Sequence, residues 1–284
     1  GHGGSPAGAA RESHPVSGGG KISGPRTSSH CVEARPFGGD PERLATTLTQ
    51  MRQQERGNWL THSAGGPVEL RDRYRGAMLG LAVGDALGTT VEFEWPGSFE
   101  PLTDLVGGGP FRLQPGQWTD DTSMALCLAE SLIECKSFDP VDQLTRYCRW
   151  WRTGHLSSTG KCFDIGTTTR AALAAFEETR DPYPGSTDPR AAGNGSLMRL
   201  APVPLAFARD PQDALAKAAL SSRTTHGARE AIDACRYFAG LLIGAIEGRP
   251  KTELLSPRFS PVLALWSQAS LTPKIAAVAA GSFT

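Results

Sequence analysis

The sequence has no surplus of charge of either sign: 29 Lys and Arg residues stand against 29 Asp and Glu among 284 residues. Proteins that grip a nucleic-acid duplex normally carry a basic stripe that neutralises phosphates, so the balance argues against nucleic acid as the main partner. Long apolar runs are also missing. The longest uncharged one, Ala239–Ile246, is far shorter than the roughly 20 residues a helix needs to cross a bilayer, which argues against a membrane partner. The N-terminus has no apolar core of a secretory signal. Six cysteines are present (Cys31, Cys127, Cys135, Cys148, Cys162 and Cys235), but none forms a Cys-x-x-Cys pair and no His lies at zinc-finger spacing from any of them. Reduced thiols in a cytoplasmic protein are the expected state. Sustained period-2 alternation and internal repeats are absent too, which excludes a large sheet and a solenoid.

What is present divides the chain in two. Residues 1 to about 40 are rich in Gly, Ser, Pro, Ala and Arg and poor in aliphatic side chains. Such a segment cannot bury enough apolar surface to offset its ordering entropy. One short helix over Pro41–Arg56 and a Gly65-Gly66-Pro67 linker follow, so residues 1–69 read as a mostly disordered extension and residues 70–284 as the folded domain. There the pattern is helical. Arg71–Gly88 carries glycines at 76, 80, 84 and 88, a strip that permits close approach of another backbone. Thr119–Lys136 places Met124, Leu128 and Leu132 on one face, with Thr119 as N-cap. Asp139-Pro140 reads as an N-cap with Pro at the first helical position, followed by Val141, Leu144, Cys148 and Trp151 on one face. Thr167–Thr179, Asp210–Ser222 and Ala228–Glu247 read the same way, the last closed by Gly248 and Pro250. The fold class expected is all-α: a compact multi-helix domain.

Five short segments carry chemistry. Thr119-Asp120-Asp121-Thr122 heads an amphipathic helix. The plain reading is a hydroxyl cap followed by acids that suit the helix dipole; the sharper one is an all-oxygen donor set for a hard cation. Gly84-Asp85-Ala86-Leu87-Gly88 with Glu92 offers either helix packing and a satisfied acid, or a cleft carboxylate near a metal. Gly193-Asn194-Gly195-Ser196-Leu197-Met198-Arg199 is either an ordinary turn or an anion cradle leading into a helix. Cys162-Phe163-Asp164-Ile165-Gly166-Thr167 places one acid in an apolar setting before a helix. Ser221-Ser222-Arg223-Thr224-Thr225-His226 holds a histidine that, alone, reads as structural.

The order of these segments from about Tyr74 to Thr284 resembles that of the ADP-ribosylglycohydrolase family, in particular the bacterial dinitrogenase-reductase-activating type. The resemblance implies a compact all-α domain with two Mg²⁺ or Mn²⁺ ions in a central cleft and hydrolysis of the bond between ADP-ribose and a modified side chain, arginine first. It implies Thr119, Asp120 and Asp121 as metal ligands and Glu92, Asp121 and Asp164 as the catalytic acids, with Asp164 facing the leaving group. Asn194, Gly195 and Ser196 would contact the phosphates and ribose, and His226 the nucleotide part. Thr167 departs from the Asn often found there. The family's second metal motif, Asp-x-Asp-Thr, has no counterpart, since no Asp-x-Asp occurs. The resemblance therefore reads the chain as incomplete at its C-terminus, with a half-built second metal site and weak or no activity as it stands. The expected partner is an ADP-ribosylated protein or an ADP-ribose-bearing small molecule. Two other readings compete: a non-catalytic ADP-ribose-binding or crystallin-like module, and a helical Mg²⁺ enzyme acting on a diphosphate.

Overall fold

The computed structural model describes residues 68–257, 259–262, 265–268 and 270–282. The expected extension lies outside the described residues up to residue 67, as does the short helix over Pro41–Arg56. The described chain is helical, as expected. It contains no strand, only the isolated bridges Gly108–Leu113 and Ser186–His226.

The first helix, α1, runs over Leu70–Gly88 and passes through a 3-10 turn, Thr89–Val91, to Glu92. Its glycine strip does not do what the sequence predicts. A Cβ on Gly76, Gly80, Gly84 or Gly88 would meet nothing within 4 Å, so among the described residues no backbone packs there. What holds α1 is polar: Arg73 Nη1 donates to the Ile246 carbonyl at 3.0 Å. Gly248 accommodates that guanidinium, because a Cβ there would lie 2.3 Å from it.

Helix α2, Asp120–Cys135, buries Met124, Cys127, Leu128 and Leu132, spaced three and four residues apart. Helix α3, Pro140–Thr153, starts as the sequence predicts: the Asp139 carboxylate accepts from the N–H groups of Val141 and Asp142, and Pro140 occupies the first turn. Its buried face is turned slightly from the predicted one. Trp150 and Tyr147 are enclosed, while Val141 is exposed and Trp151 lies half-buried beneath the Arg152 guanidinium. Helix α4 is Thr167–Thr179, α5 Pro202–Phe207, α6 Pro211–Arg223 and α7 Arg229–Ile246. The short α8 (Lys251–Leu254), α9 (Leu265–Gln268) and α10 (Pro273–Ala279) follow.

Helix α2 packs on α1, α3 and α5, and α7 packs on α1, α5 and α6. The interior they share contains Met124, Leu128, Leu144, Tyr147, Trp150, Leu173, Phe176 and Leu200, all fully enclosed. Each such aliphatic or aromatic side chain contributes about 1.5–3 kcal/mol. The core therefore anchors the N-terminal ends of α2 and α4, where the chemistry-bearing segments sit.

Candidate active site

The N-terminus of α2 is capped from outside. Thr119 stands at the N-cap position, as predicted, but its side chain makes no capping bond. The cap comes from Asp85 on α1. One carboxylate oxygen accepts the Thr119 N–H at 3.0 Å and the Thr119 hydroxyl at 2.8 Å; the other accepts the Thr122 N–H at 3.0 Å and the Thr122 hydroxyl at 2.6 Å. A carboxylate at a helix N-terminus also meets the positive end of the macrodipole. Asp85 is thus the satisfied acid of the plainer reading. With its proton directed at Asp85, the Thr119 hydroxyl keeps lone pairs for another partner.

Asp120 and Asp121 each accept a hydrogen bond from their own backbone at the head of α2 and otherwise face other acids. Asp120 is only 6% exposed. Burial, and then the charges of Asp164, Asp121 and Asp85, push its carboxyl far above the usual range. Burial and the charges of Asp85, Asp164 and Glu92 carry Asp121 up to about 7. Asp164 is raised by burial and by Glu92, partly offset by a hydrogen bond with Asp120. Glu92 is raised by burial and Asp85, against a weak hydrogen bond from the Thr89 hydroxyl at 3.4 Å. No positive charge contributes to these shifts. The structure thus brings four predicted residues from three segments into one electrostatic cluster.

Loop contacts fix this cluster. Thr90 Oγ1 donates to the Gly107 carbonyl, and a Cβ on Gly109 would lie 2.2 Å from the Thr89 carbonyl, so the loop after Glu92 folds closely back on it. The Ser158 hydroxyl donates to the Trp118 carbonyl at 2.6 Å, which ties the α3–α4 loop to the head of α2. The Phe111 and Phe163 rings meet at 5.3 Å beside Asp164. Asp164 itself has φ 58°, a left-handed conformation that Asp tolerates better than most residues.

The donor types suit a hard divalent cation: a hydroxyl and carboxylates, crowded without counter-charge. The set is not assembled as one shell, however. Among the described residues no three His, Cys, Asp or Glu side chains are arranged to hold an ion.

The Gly193–Arg199 segment forms the turn of the plainer reading and does not itself open a helix. The Asn194 carbonyl accepts the N–H groups of Leu197 and Met198 at 2.8 and 3.0 Å, and α5 begins only at Pro202. Asn194 is exposed. Gly195 lies over the first turn of α4, where a Cβ would stand 3.0 Å from the Thr169 hydroxyl and 2.7 Å from His226 Cε1. That requirement explains the glycine. Ser196 points inward: its hydroxyl pairs with Ser222 at 2.8 Å and receives the Cys235 thiol at 3.5 Å. His226 is 2% exposed and backs the glycine loop from beneath. A cleft of about 330 Å³ opens along the start of α4, lined by Thr167, Thr168, Ala171, Pro184, Ser186 and Ala191. The loop meets the acid cluster through α4, since Asp164 precedes that helix and Gly195 rests on its Thr169.

Two partnerships were not legible in advance. The sequence allows Asp85 as a satisfied acid, but that it caps a helix 34 residues away is something no local pattern reveals. Arg199 closes the glycine segment in sequence, but nothing there assigns it a role; it is fully enclosed, and its place at the end of an apolar Leu-Met-Arg run was the signal that could have flagged it.

Comparison with known proteins agrees with the all-α fold. The family model described as ADP-ribosylglycohydrolase matches residues 66–281. The ADP-ribosylarginine hydrolase Tri1 of Pseudomonas putida (strain GB-1) is 44% identical over 191 residues, which cover 67% of this chain and 51% of that protein. The ADP-ribosyl-[dinitrogen reductase] glycohydrolase of Rhodospirillum rubrum is 35% identical over 187 residues, 63% of this chain and 60% of that one. The chain thus spans about half the length of the curated relatives it matches. A solved structure described as an ADP-ribosylglycohydrolase-related protein complex superposes with a TM-score of 0.63 at 48% identity, covering 74% of this chain and 67% of that one.

Proposed function

The chain belongs to the ADP-ribosylglycohydrolase family, and from that premise we propose that its acid cluster serves Mg²⁺-dependent hydrolysis of the bond between ADP-ribose and a modified side chain, arginine being the favoured one. The observation that carries the reading is the crowding of Asp120, Asp121, Asp164 and Glu92, whose pKa values are all raised with no positive charge contributing. Such an arrangement costs stability unless a cation or a cationic substrate enters it. A relative named for ADP-ribosylarginine supports arginine as the leaving group.

In this reading Thr119, Asp120 and Asp121 would hold Mg²⁺ or Mn²⁺. Such an ion would supply Lewis-acid stabilisation to ribose hydroxyl oxygens and to the attacking water. The chain's own groups do the rest. Asp121 and Glu92 are the two carboxylates of the cluster that would accept a proton from the attacking water. The C1″–N bond breaks through an oxocarbenium-like state and the water oxygen bonds to C1″. One water proton passes to the carboxylate and from there to the departing guanidine, which leaves as guanidinium beside Asp164. The glycine loop at Gly193–Gly195 and the cleft along α4 would take the diphosphate-bearing part. The substrate partner is an ADP-ribosylated protein or a small molecule carrying ADP-ribose, and the site of action proposed is the cytoplasm.

A second reading is a non-catalytic ADP-ribose-binding module, favoured by the lack of three converging metal donors among the described residues. Release of ADP-ribose from ADP-ribosyl-arginine separates the two. Hydrolysis in Mg²⁺ that stops in chelator and in Asp120→Ala supports the enzyme. ADP-ribose binding that is indifferent to Mg²⁺, with no release, gives the module.

A further inference from the structure

His226 is enclosed, yet only one of its ring nitrogens has a partner among the described residues. Nδ1 lies 2.8 Å from the Thr225 hydroxyl. Nε2 makes no hydrogen bond among the described residues. It stands 3.5 Å from the point a Cβ of Gly193 would occupy, a point with nothing but the edge of this imidazole within 4 Å. An unpartnered ring nitrogen therefore looks onto the gap that Gly193 leaves open.

The proton on that ring follows from its neighbours. Arg199 is buried with no carboxylate partner among the described residues. Its Nη1 donates to the Gly195 carbonyl at 2.7 Å; its Nη2 donates to Thr225 Oγ1 at 2.8 Å, to Thr224 Oγ1 at 3.0 Å and to the Ser221 carbonyl at 3.3 Å; and its guanidinium lies 4.7 Å from the Tyr147 ring centre. A guanidinium only donates, so Thr225 Oγ1 is an acceptor toward Arg199. Its own hydroxyl proton must then go elsewhere, and the acceptor at hand is His226 Nδ1. Were Nδ1 protonated, two donors would face one enclosed hydroxyl, whose proton would be left without a partner, at a cost of about 1–3 kcal/mol.

We propose that Arg199 and Thr225 are positioning residues that lock His226 in the neutral Nε2–H tautomer, so that the ring offers one fixed donor to an oxygen acceptor of a ligand seated at Gly193. Burial and the Arg199 charge, which lower the His226 pKa to about 4, act in the same direction by keeping the ring neutral. The same arginine holds the Gly195 carbonyl inward, so a single cation sets both the loop backbone and the proton behind it. A neutral donor suits recognition of a ribose or phosphate oxygen. This last step rests on the glycine loop being the ADP-ribose cradle; the tautomer does not.

Imidazole ¹⁵N spectra of the full labelled chain at neutral pH test the proposal without substrate or metal. The expected pattern for His226 is a protonated Nε2 and an Nδ1 in the unprotonated acceptor range. Thr225→Val should move Nδ1 toward the protonated position or collapse the pair toward an average, and Thr225→Ser should restore the original pattern. An Nδ1–H or imidazolium pattern in the unsubstituted chain would overturn the proposal, even if the variants failed to fold. Thr225→Val and Thr225→Ser spectra that cannot be told apart would also overturn it. Adding ADP-ribose should shift the Nε2 proton, and an unmoved resonance in a chain that binds ADP-ribose would remove the donor role. Absence of hydrolysis, by contrast, bears on the enzymatic reading and leaves these resonances as they are.

Discussion

The Asp85 carboxylate accepts both the hydroxyl and the N–H of Thr122, at 2.6 and 3.0 Å, across 37 residues of chain. With the matching pair from Thr119 it satisfies four donors at the head of α2. Asp85→Ala removes a cap, worth about 0.5–2 kcal/mol, and strands buried donors at about 1–3 kcal/mol each. A loss of at least about 3 kcal/mol is expected, read as a lower denaturant midpoint at unchanged slope. Asp85→Asn, which retains one accepting oxygen, should fall between the two. A loss below about 1 kcal/mol for Asp85→Ala would mean that another group caps α2.

The glycine loop gives a paired test. A Cβ on Gly195 would stand 2.7 Å from His226 Cε1 and 3.0 Å from the Thr169 hydroxyl, whereas on Gly193 the nearest atom is 3.5 Å away. Gly195→Ala should therefore cost about 1–3 kcal/mol by overpacking and weaken ADP-ribose binding about tenfold or more. Gly193→Ala should leave stability within about 0.5 kcal/mol. Thermal unfolding of both variants measures the contrast in stability, whereas calorimetric titration should show weaker ADP-ribose binding in both, since Gly193 borders the gap a ligand would fill. Equal stability of the two would mean that the loop is free to move off His226.

The long helices were legible because their signals are local. Asp139-Pro140 and Asp210-Pro211 mark true starts, and the three- and four-residue spacing of Met124, Leu128 and Leu132 is the buried face of α2. The glycine strip of α1 was misleading because spacing shows that a backbone can approach, not that one does. Of the two readings of the glycine segment the turn is the one that forms, because the Asn194 carbonyl takes two N–H groups and α5 waits for Pro202. In the site, residue types announced the acids, but the pairing of Asp85 with Thr122 and of Arg199 with Thr225 depends on distances between segments far apart in sequence. Those are properties of the fold.

Asp120 offers a stability test opposite in sign to the usual loss of a buried group. Enclosed among like charges, its ionised form costs the metal-free chain stability. Asp120→Asn keeps the shape and removes the charge, so in chelator at pH 8 its unfolding free energy should rise by about 1 kcal/mol or more, read as a higher midpoint. The increment produced by Mg²⁺ should vanish in the same variant. A lower midpoint in chelator together with an intact Mg²⁺ increment would place the ion elsewhere.

The pH dependence follows from the same cluster. A carboxyl whose pKa is raised by folding binds its proton more tightly in the folded chain. Its contribution is complete below the unfolded value, about 3.9 for Asp, and is lost as pH rises through the folded value, about 7 for Asp121. Metal-free stability should therefore decline from about pH 4 to pH 7 by up to a few kcal/mol, and further as Asp120 ionises. Glu130 works in the other direction and in another range. Although burial raises it, hydrogen bonds with His155 and Arg146 hold it below its ordinary value, so its contribution is lost only as pH falls through that lowered value, clear of the Asp121 window. Asp121→Asn should flatten the slope between pH 4 and 7. Cation binding requires the ionised carboxylates, so saturating Mg²⁺, worth about 2.7 kcal/mol at a hundredfold excess over Kd, should stabilise the chain more at pH 8 than at pH 5. Unfolding midpoints at the two pH values, with Mg²⁺ and with chelator, complete the comparison. If Asp121→Asn retains the unsubstituted chain's slope, the acid that titrates in this window is not Asp121.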